Sequence, residues 1–302
     1  MAFVRFPAVE RGLAGRGRTA TCLAAAVAAF AIVLSFTVGQ ASGGDRAKIL
    51  GGSVDKRTDN PWVAAILLDP SVRSGSGYER QFCTGSLIAP RWVITAAHCV
   101  TDDNGRQEPA GNFNALIGQK NLNANPATGP GELFDIVRVR RFPGYNARTF
   151  RGDAALLKLE AASAIQPVEL IGRPPRAGKR GYIAGWGDRR PYNSDNSDYP
   201  VALHSAYIPT ISNRRCARSP VHAGDPFDRA TMFCAGTRRG RPDTCGGDSG
   251  GPFAIYIKSA PRPWRLAGLT SFGDCGRGAP HYGVYAKVGA GPLKKWVNSI
   301  VG

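Results

Sequence analysis

Residues 244–252 read Thr244-Cys245-Gly246-Gly247-Asp248-Ser249-Gly250-Gly251-Pro252, one serine set among four glycines. A serine hydroxyl attacks a carbonyl only when a neighbouring base takes its proton, another group orients that base, and donors receive the oxyanion. The glycines allow backbone angles closed to other residues and let a substrate come close to the main chain. Taken alone, the stretch would suit a flexible turn equally well. Two distant segments argue against that. His98 sits in Thr95-Ala96-Ala97-His98-Cys99, and Asp153 opens Asp153-Ala154-Ala155-Leu156-Leu157-Lys158-Leu159, both apolar settings that read as buried. His204, His222 and His281 lack such a setting and read as structural or solvated.

Outward from these segments, the composition of the 302-residue chain, 43% hydrophobic and 20% charged, excludes a disordered chain and an extended charged coil. At roughly 150 residues per domain there is room for one large domain or two small ones. With 38 glycines, 22 prolines and two methionines, short strands joined by turns are favoured over a helical bundle. Apolar runs of strand length recur at 62–68, 85–95, 114–118, 134–139, 154–159, 182–185, 203–208, 232–235, 252–257, 265–271 and 284–288, a spacing that suits a barrel or sandwich. The tail departs from this pattern. Pro292 suits a first helical turn, and Leu293, Trp296, Val297 and Ile300 fall at i, i+3, i+4 and i+7, which predicts one amphipathic helix packed on the body. The sequence contains no fixed-period repeat, phosphate-binding glycine loop or metal-ligand cluster.

The formal charge is +17, of which +13 remains when residues 1–48 are set aside. The excess is dispersed over Arg138, Arg140 and Arg141, over Arg148 and Arg151, over Arg214, Arg215 and Arg218, and over Arg238, Arg239 and Arg241. None of these clusters is interleaved with aromatics as a base-stacking platform would be, so a solvated basic surface is read and no nucleic-acid partner is expected. Residues 22–38 are uncharged and apolar, follow a basic segment and close on Val38-Gly39-Gln40-Ala41, the pattern of a secretory leader; a membrane anchor and a core helix are its rivals. Cys22 falls inside that leader. Cys83, Cys99, Cys216, Cys234, Cys245 and Cys275 remain, and none forms a Cys-x-x-Cys pair. A disulfide framework in an oxidising compartment is therefore favoured over a zinc site, with fifteen connectivities open on composition alone.

Together these segments resemble the chymotrypsin and trypsin family of serine endopeptidases over residues 49–302. Gly247 to Pro252 is similar to the family's nucleophile motif, Ala96-Ala97-His98-Cys99 to its base motif, and Asp153 with the 156–159 run to its acid motif, in the order His, Asp, Ser. The resemblance implies an all-β fold, two six-stranded antiparallel β-barrels with a C-terminal α-helix, the chain crossing between them near 165–175 and the site in the cleft. It implies that His98 takes and returns the Ser249 proton, that Asp153 holds the imidazole, and that the Gly247 and Ser249 N–H groups receive the oxyanion. It pairs Cys83 with Cys99, Cys216 with Cys234 and Cys245 with Cys275. The expected protein is a monomeric endopeptidase, secreted to the extracellular space or periplasm, needing no cofactor or metal and open to protein inhibitors.

Lys48-Ile49-Leu50-Gly51-Gly52 resembles the family's activation junction, with Leu50 in place of the usual Val. Residues 1–41 are then a signal peptide, 42–48 a short activation propeptide and 49–302 the protease domain. Cleavage after Lys48 would free the Ile49 ammonium to pair with Asp248 and set the Gly247 amide; the alternative is that Lys48 and Ile49 lie in an ordinary linker. Asp243, six residues before Ser249, matches the floor of the substrate pocket, and Ser271, Phe272, Gly273 and Gly283 match its walls, so cleavage of peptides and proteins after Arg or Lys is expected. Phe272 replaces the commoner Trp, Gly246 replaces a longer rim residue, and Phe150 would stand beside the cleft and favour a small residue upstream of the scissile bond. Gln119, with Asn121 and Asn123 behind it, stands where calcium-binding members offer a carboxylate, so no tight calcium site is expected. The polar loops 70–80 and 189–200 carry no functional reading. Two rival functions share the scaffold: a catalytically inactive basic binding protein, against which the retained His98, Asp153, Ser249 and Asp248 weigh, and a membrane-anchored protease with an uncleaved leader.

Overall fold

The computed structural model describes residues 49–125, 129–190, 198–222 and 227–302; the leader, the propeptide with Lys48 and the middle of the 189–200 loop lie outside them. The first half supplies β1 (Ser53–Val54), β2 (Val63–Leu68), β3 (Gln81–Ala89), β4 (Trp92–Thr95), β5 (Phe113–Ile117), β6 (Glu132–Arg141) and β7 (Ala155–Leu159). Six of these close into an antiparallel barrel in the order β2-β3-β4-β7-β6-β5. β2 is buried at all six positions, which explains a continuous apolar run where a half-exposed strand would alternate. β6 does alternate: Phe134, Ile136 and Val139 face inward, and a register shift between Ile136 and Arg138 sets Val137 and Arg138 outward side by side. The apolar run 85–95 proves to be two strands rather than one. A turn at Pro90-Arg91 separates β3 from β4 and folds Leu87 against Val93, because proline has no N–H to give a ladder.

The second half supplies β8 (Glu169–Leu170), β9 (Arg180–Gly185), β10 (His204–Ile211), β11 (Met232–Ala235), β12 (Pro252–Tyr256), β13 (Trp264–Phe272) and β14 (Gly283–Ala286). They close in the order β9-β10-β11-β14-β13-β12, with β1 added to β10 and β8 paired in parallel with β13. The fold is therefore two closed six-stranded antiparallel barrels. Phe233, Phe253 and Tyr285 fill the second, their ring centroids 5.1, 5.2 and 5.5 Å apart. Gly181 and Gly268 make room for them, since a Cβ there would fall 2.2 and 2.4 Å from ring carbons of Phe253 and Phe233.

Between the barrels the chain is fastened first to one side and then to the other: Val168 N–H donates to Leu87 O and Ile171 N–H to Leu266 O, each at 2.9 Å. Among the described residues three α-helices complete the fold. α1 (Gly77–Arg80) and α2 (Asn213–Cys216) are single turns capped by the hydroxyls of Ser76 and Ser212. α3 (Gly291–Val301) carries the predicted stripe, with Leu293 and Val297 buried and Trp296 edge-on to Phe142 at 5.6 Å. Among the described residues no helix is long and apolar enough to cross a membrane.

Candidate active site

His98 lies on the 3-10 turn Ala97–Val100 that follows β4, and Asp153 lies just ahead of β7. Because β4 and β7 pair, Thr95 opposite Ala155, the two side chains meet. The Asp153 carboxylate is 1% exposed. Its Oδ1 accepts from the His98 N–H at 2.9 Å, while Oδ2 lies 2.8 Å from His98 Nδ1 and accepts from the Ser271 hydroxyl at 2.5 Å. A carboxylate at Nδ1 places the proton there and leaves Nε2 as the basic nitrogen.

Ser249 comes from the second barrel and is held against the first. Thr84 N–H of β3 donates to Ser249 O at 2.8 Å, and Cys99 Sγ lies 3.7 Å from the same oxygen. An added Cβ on Gly250 would fall 2.1 Å from Thr95 Oγ1 and 2.7 Å from Ala96 N, so the loop runs directly along the segment that ends at His98. Among the described residues no hydrogen bond joins the Ser249 hydroxyl to His98; catalytic contacts of this kind tighten when substrate arrives. The N–H groups of Asp248, Gly250 and Gly251 are taken by the carbonyls of Cys245, Thr270 and Asp248, whereas those of Gly247 and Ser249 have no partner among the described residues. Two main-chain donors left beside an alcohol are what a developing oxyanion requires.

Two buried carboxylates flank this loop. Asp243 accepts from Thr244 N–H at 2.9 Å and from Gly276 N–H at 3.0 Å, and burial pushes it up to about 7. No ion pair is made with Asp243 among the described residues, and the one charge that perturbs it is Asp248. Gly283 borders it, since a Cβ there would lie 3.5 Å from Asp243 Oδ1, and an added Cβ on Gly273 would lie 3.0 Å from Gly283 Cα. Asp248 is fully buried, accepts from Gly187 N–H at 2.8 Å and Cys245 N–H at 2.9 Å, and burial raises it likewise to about 7. Ile49 is also fully buried, Leu50 O accepts from Asp243 N–H at 2.9 Å, and Ile49 takes a φ of +38°, a strained value for a β-branched residue.

Phe150 also sits at positive φ, +55°, and stands 5.5 Å from the His98 ring and 5.3 Å from Phe272; His222, 5.8 Å from Phe272, continues the row inward. The three disulfides pair Cys83 with Cys99, Cys216 with Cys234 and Cys245 with Cys275. Among the described residues cysteine and histidine converge at Cys83-His98-Cys99 and Cys216-His222-Cys234, whose sulfurs are in disulfides and so present no thiolate to a metal. Sequence reasoning missed three neighbours of the loop. Gln81 and Thr84 reach Gly247 O, and the Tyr199 ring would lie 3.1 Å from a Cβ on Gly247. Nothing in the local pattern of these residues points to Ser249, since each arrives by tertiary packing.

Comparison with known proteins matches residues 49–297 to the Trypsin family. The chain is 34% identical over 241 residues to Trypsin 5G1 of Aedes aegypti, which covers 76% of this chain and 78% of that protein. It is 32% identical over 249 residues to Kallikrein-14 of Homo sapiens, covering 81% of each. With Transmembrane protease serine 5 of Homo sapiens it shares 33% over 247 residues, 80% of this chain but 49% of that protein, so it spans about half of that relative's length. With both barrels inside the match, the chain belongs to the trypsin family of serine proteases.

Proposed function

We propose that the chain is a secreted serine endopeptidase, made as a zymogen, that hydrolyses protein and peptide substrates after Arg or Lys. His98 Nε2 takes the Ser249 proton as the hydroxyl attacks the scissile carbonyl, and the resulting imidazolium is steadied by Asp153. The Gly247 and Ser249 N–H groups hold the oxyanion, His98 protonates the leaving amine, and water then cleaves the acyl-enzyme by the same steps in reverse. The single observation that carries the reading is the His98–Asp153 pair at 2.8 Å against a loop in which the Gly247 and Ser249 N–H groups have no partner among the described residues.

Specificity follows from Asp243. A buried carboxylate without a cation is costly, and a substrate guanidinium or ammonium entering alongside the paired glycines Gly273 and Gly283, in the space their missing side chains leave, would supply one. The zymogen reading is supported by the docked Ile49-Leu50 segment. Cutting before Ile49 removes the preceding carbonyl that makes its φ unfavourable, and frees an ammonium for Asp248.

The test is direct. The purified chain is treated with a trace of trypsin, and arginine-amide hydrolysis is compared with that of Ser249→Ala carrying the same trypsin; nearly all the added rate is expected to disappear in the variant. Terminal sequencing of active protein should begin at Ile49. Faster cleavage of aromatic amides than of arginine amides would overturn the assignment of Asp243, and fractionation of the mature protein separates secretion from membrane anchoring.

A further inference from the structure

We infer that Thr84 is a positioning residue for this reaction, fastening the carbonyls of Gly247 and Ser249 to the first barrel so that the N–H groups of the same two residues stay available to the substrate oxyanion. The inference rests on the serine-protease reading above. Thr84 is fully buried in β3 and makes two bonds into the opposite barrel: its N–H to Ser249 O at 2.8 Å and its hydroxyl to Gly247 O at 3.1 Å. Its own carbonyl accepts from Thr95 Oγ1 at 2.8 Å, so the clamp is braced against the segment that carries His98. Gln81, partly exposed three residues earlier in β3, adds a second donor, Nε2 to Gly247 O at 3.0 Å.

The loop needs such a tether. Gly247 sits at φ +91° beside Gly246, so the chain turns there at little steric cost; the Gly246–Gly247 peptide, which carries the Gly247 N–H, is held by Asp188 N–H on Gly246 O at 2.7 Å, and the peptide that follows it presents its oxygen, Gly247 O, to β3. Asp248 secures the loop from the second barrel through Gly187 and Cys245, but its contacts leave Gly247 O untouched. That oxygen is held by the two side chains of β3 alone among the described residues. A hydroxyl carries one proton, and a β-branched side chain has restricted χ1, so Thr84 directs that proton at Gly247 with little freedom to do otherwise.

Thr84→Val keeps the buried volume and the N–H and removes the hydroxyl; Thr84→Ser keeps the hydroxyl. After activation, with Ser249→Ala as background, Thr84→Val should lower kcat on an arginine amide about fivefold to tenfold, the factor set by one net hydrogen bond, with KM unchanged. A peptidyl boronate, whose tetrahedral adduct occupies the oxyanion position, should weaken by the same factor, whereas a small aryl amidinium that reads Asp243 alone should bind as before. Thr84→Ser should restore both. Wild-type kcat in Thr84→Val, or an equal loss for the amidinium, would overturn the inference. Should Thr84→Val fail to fold, Gln81→Met removes the other donor at a partly exposed position and should show the same split at smaller size; an unchanged kcat there counts against the clamp. An inactive parent chain would end the serine-protease reading itself, before any variant is compared.

Discussion

Asp243 and Asp248, five residues apart, are raised to the same value by the same cause, and the proposed function gives each a different cation. Because a cation binds the ionised Asp243, aryl-amidinium affinity should climb as pH rises toward about 7 and level off above it; a flat profile measured by inhibition between about pH 5 and 8 would remove Asp243 from the pocket floor. Asp153→Asn should keep the fold but present the wrong imidazole tautomer, with kcat lower by about 10⁴, a magnitude taken from this family's archetype rather than derived from the present geometry. Phe150→Ala should open the space beside His98 and raise kcat/KM for substrates with a bulky residue upstream of the Arg, relative to those with a small one; an unchanged ratio would show that Phe150 does not wall that subsite. His98, Asp153 and Ser249 were legible because each lies in a short, distinctive run of sequence. Thr84 and Gln81 were not, since a threonine after a cysteine in a strand has no local sign of a partner 163 residues away.

At the scale of elements, the nucleophile loop depends on close approach. Gly250→Ala would place a methyl within 2.4 Å of Thr84 O at a φ of +77°, and should remove activity with a fall in Tm that separates it from the cleaner loss of Ser249→Ala. The Cys83–Cys99 disulfide, closing 16 residues between β3 and the His98 turn, should contribute about 3 kcal/mol; replacing both cysteines by alanine should lower the denaturation midpoint accordingly. The strands were readable wherever burial imposed an apolar run, as in β11, whose bounds match the predicted 232–235. Periodicity failed at 85–95, where one run hid a hairpin, because its exposed turn is only the pair Pro90-Arg91, too short an interval to divide the apolar run. It also passed over β1 and β8, two-residue strands that exist through their partners β10 and β13.

For the whole molecule, the buried acids couple stability to pH. An acid whose folded pKa is raised favours the fold below its unfolded value, near 4 for Asp248, and that contribution disappears as pH climbs through about 7. The uncleaved chain should therefore lose Tm across that window, Asp248→Asn should flatten the loss, and cleavage before Ile49 should flatten it too by supplying the ammonium. Calorimetry of the three species across that range tests this; parallel slopes would show that Asp248 gains no partner on cleavage. The two-barrel plan itself was legible through the family resemblance, while strand spacing alone left barrel and sandwich equally open.

α3 is synthesised after both barrels, yet Trp296 packs on Phe142, and Leu293 and Val297 join the same core that contains the first barrel. A growing polypeptide still short of residue 290 thus leaves the half that holds His98 and Asp153 without its lid of apolar side chains. The first barrel's core is therefore closed by the last turns of the chain, and deleting residues 291–302 should uncover Phe142 and lower Tm.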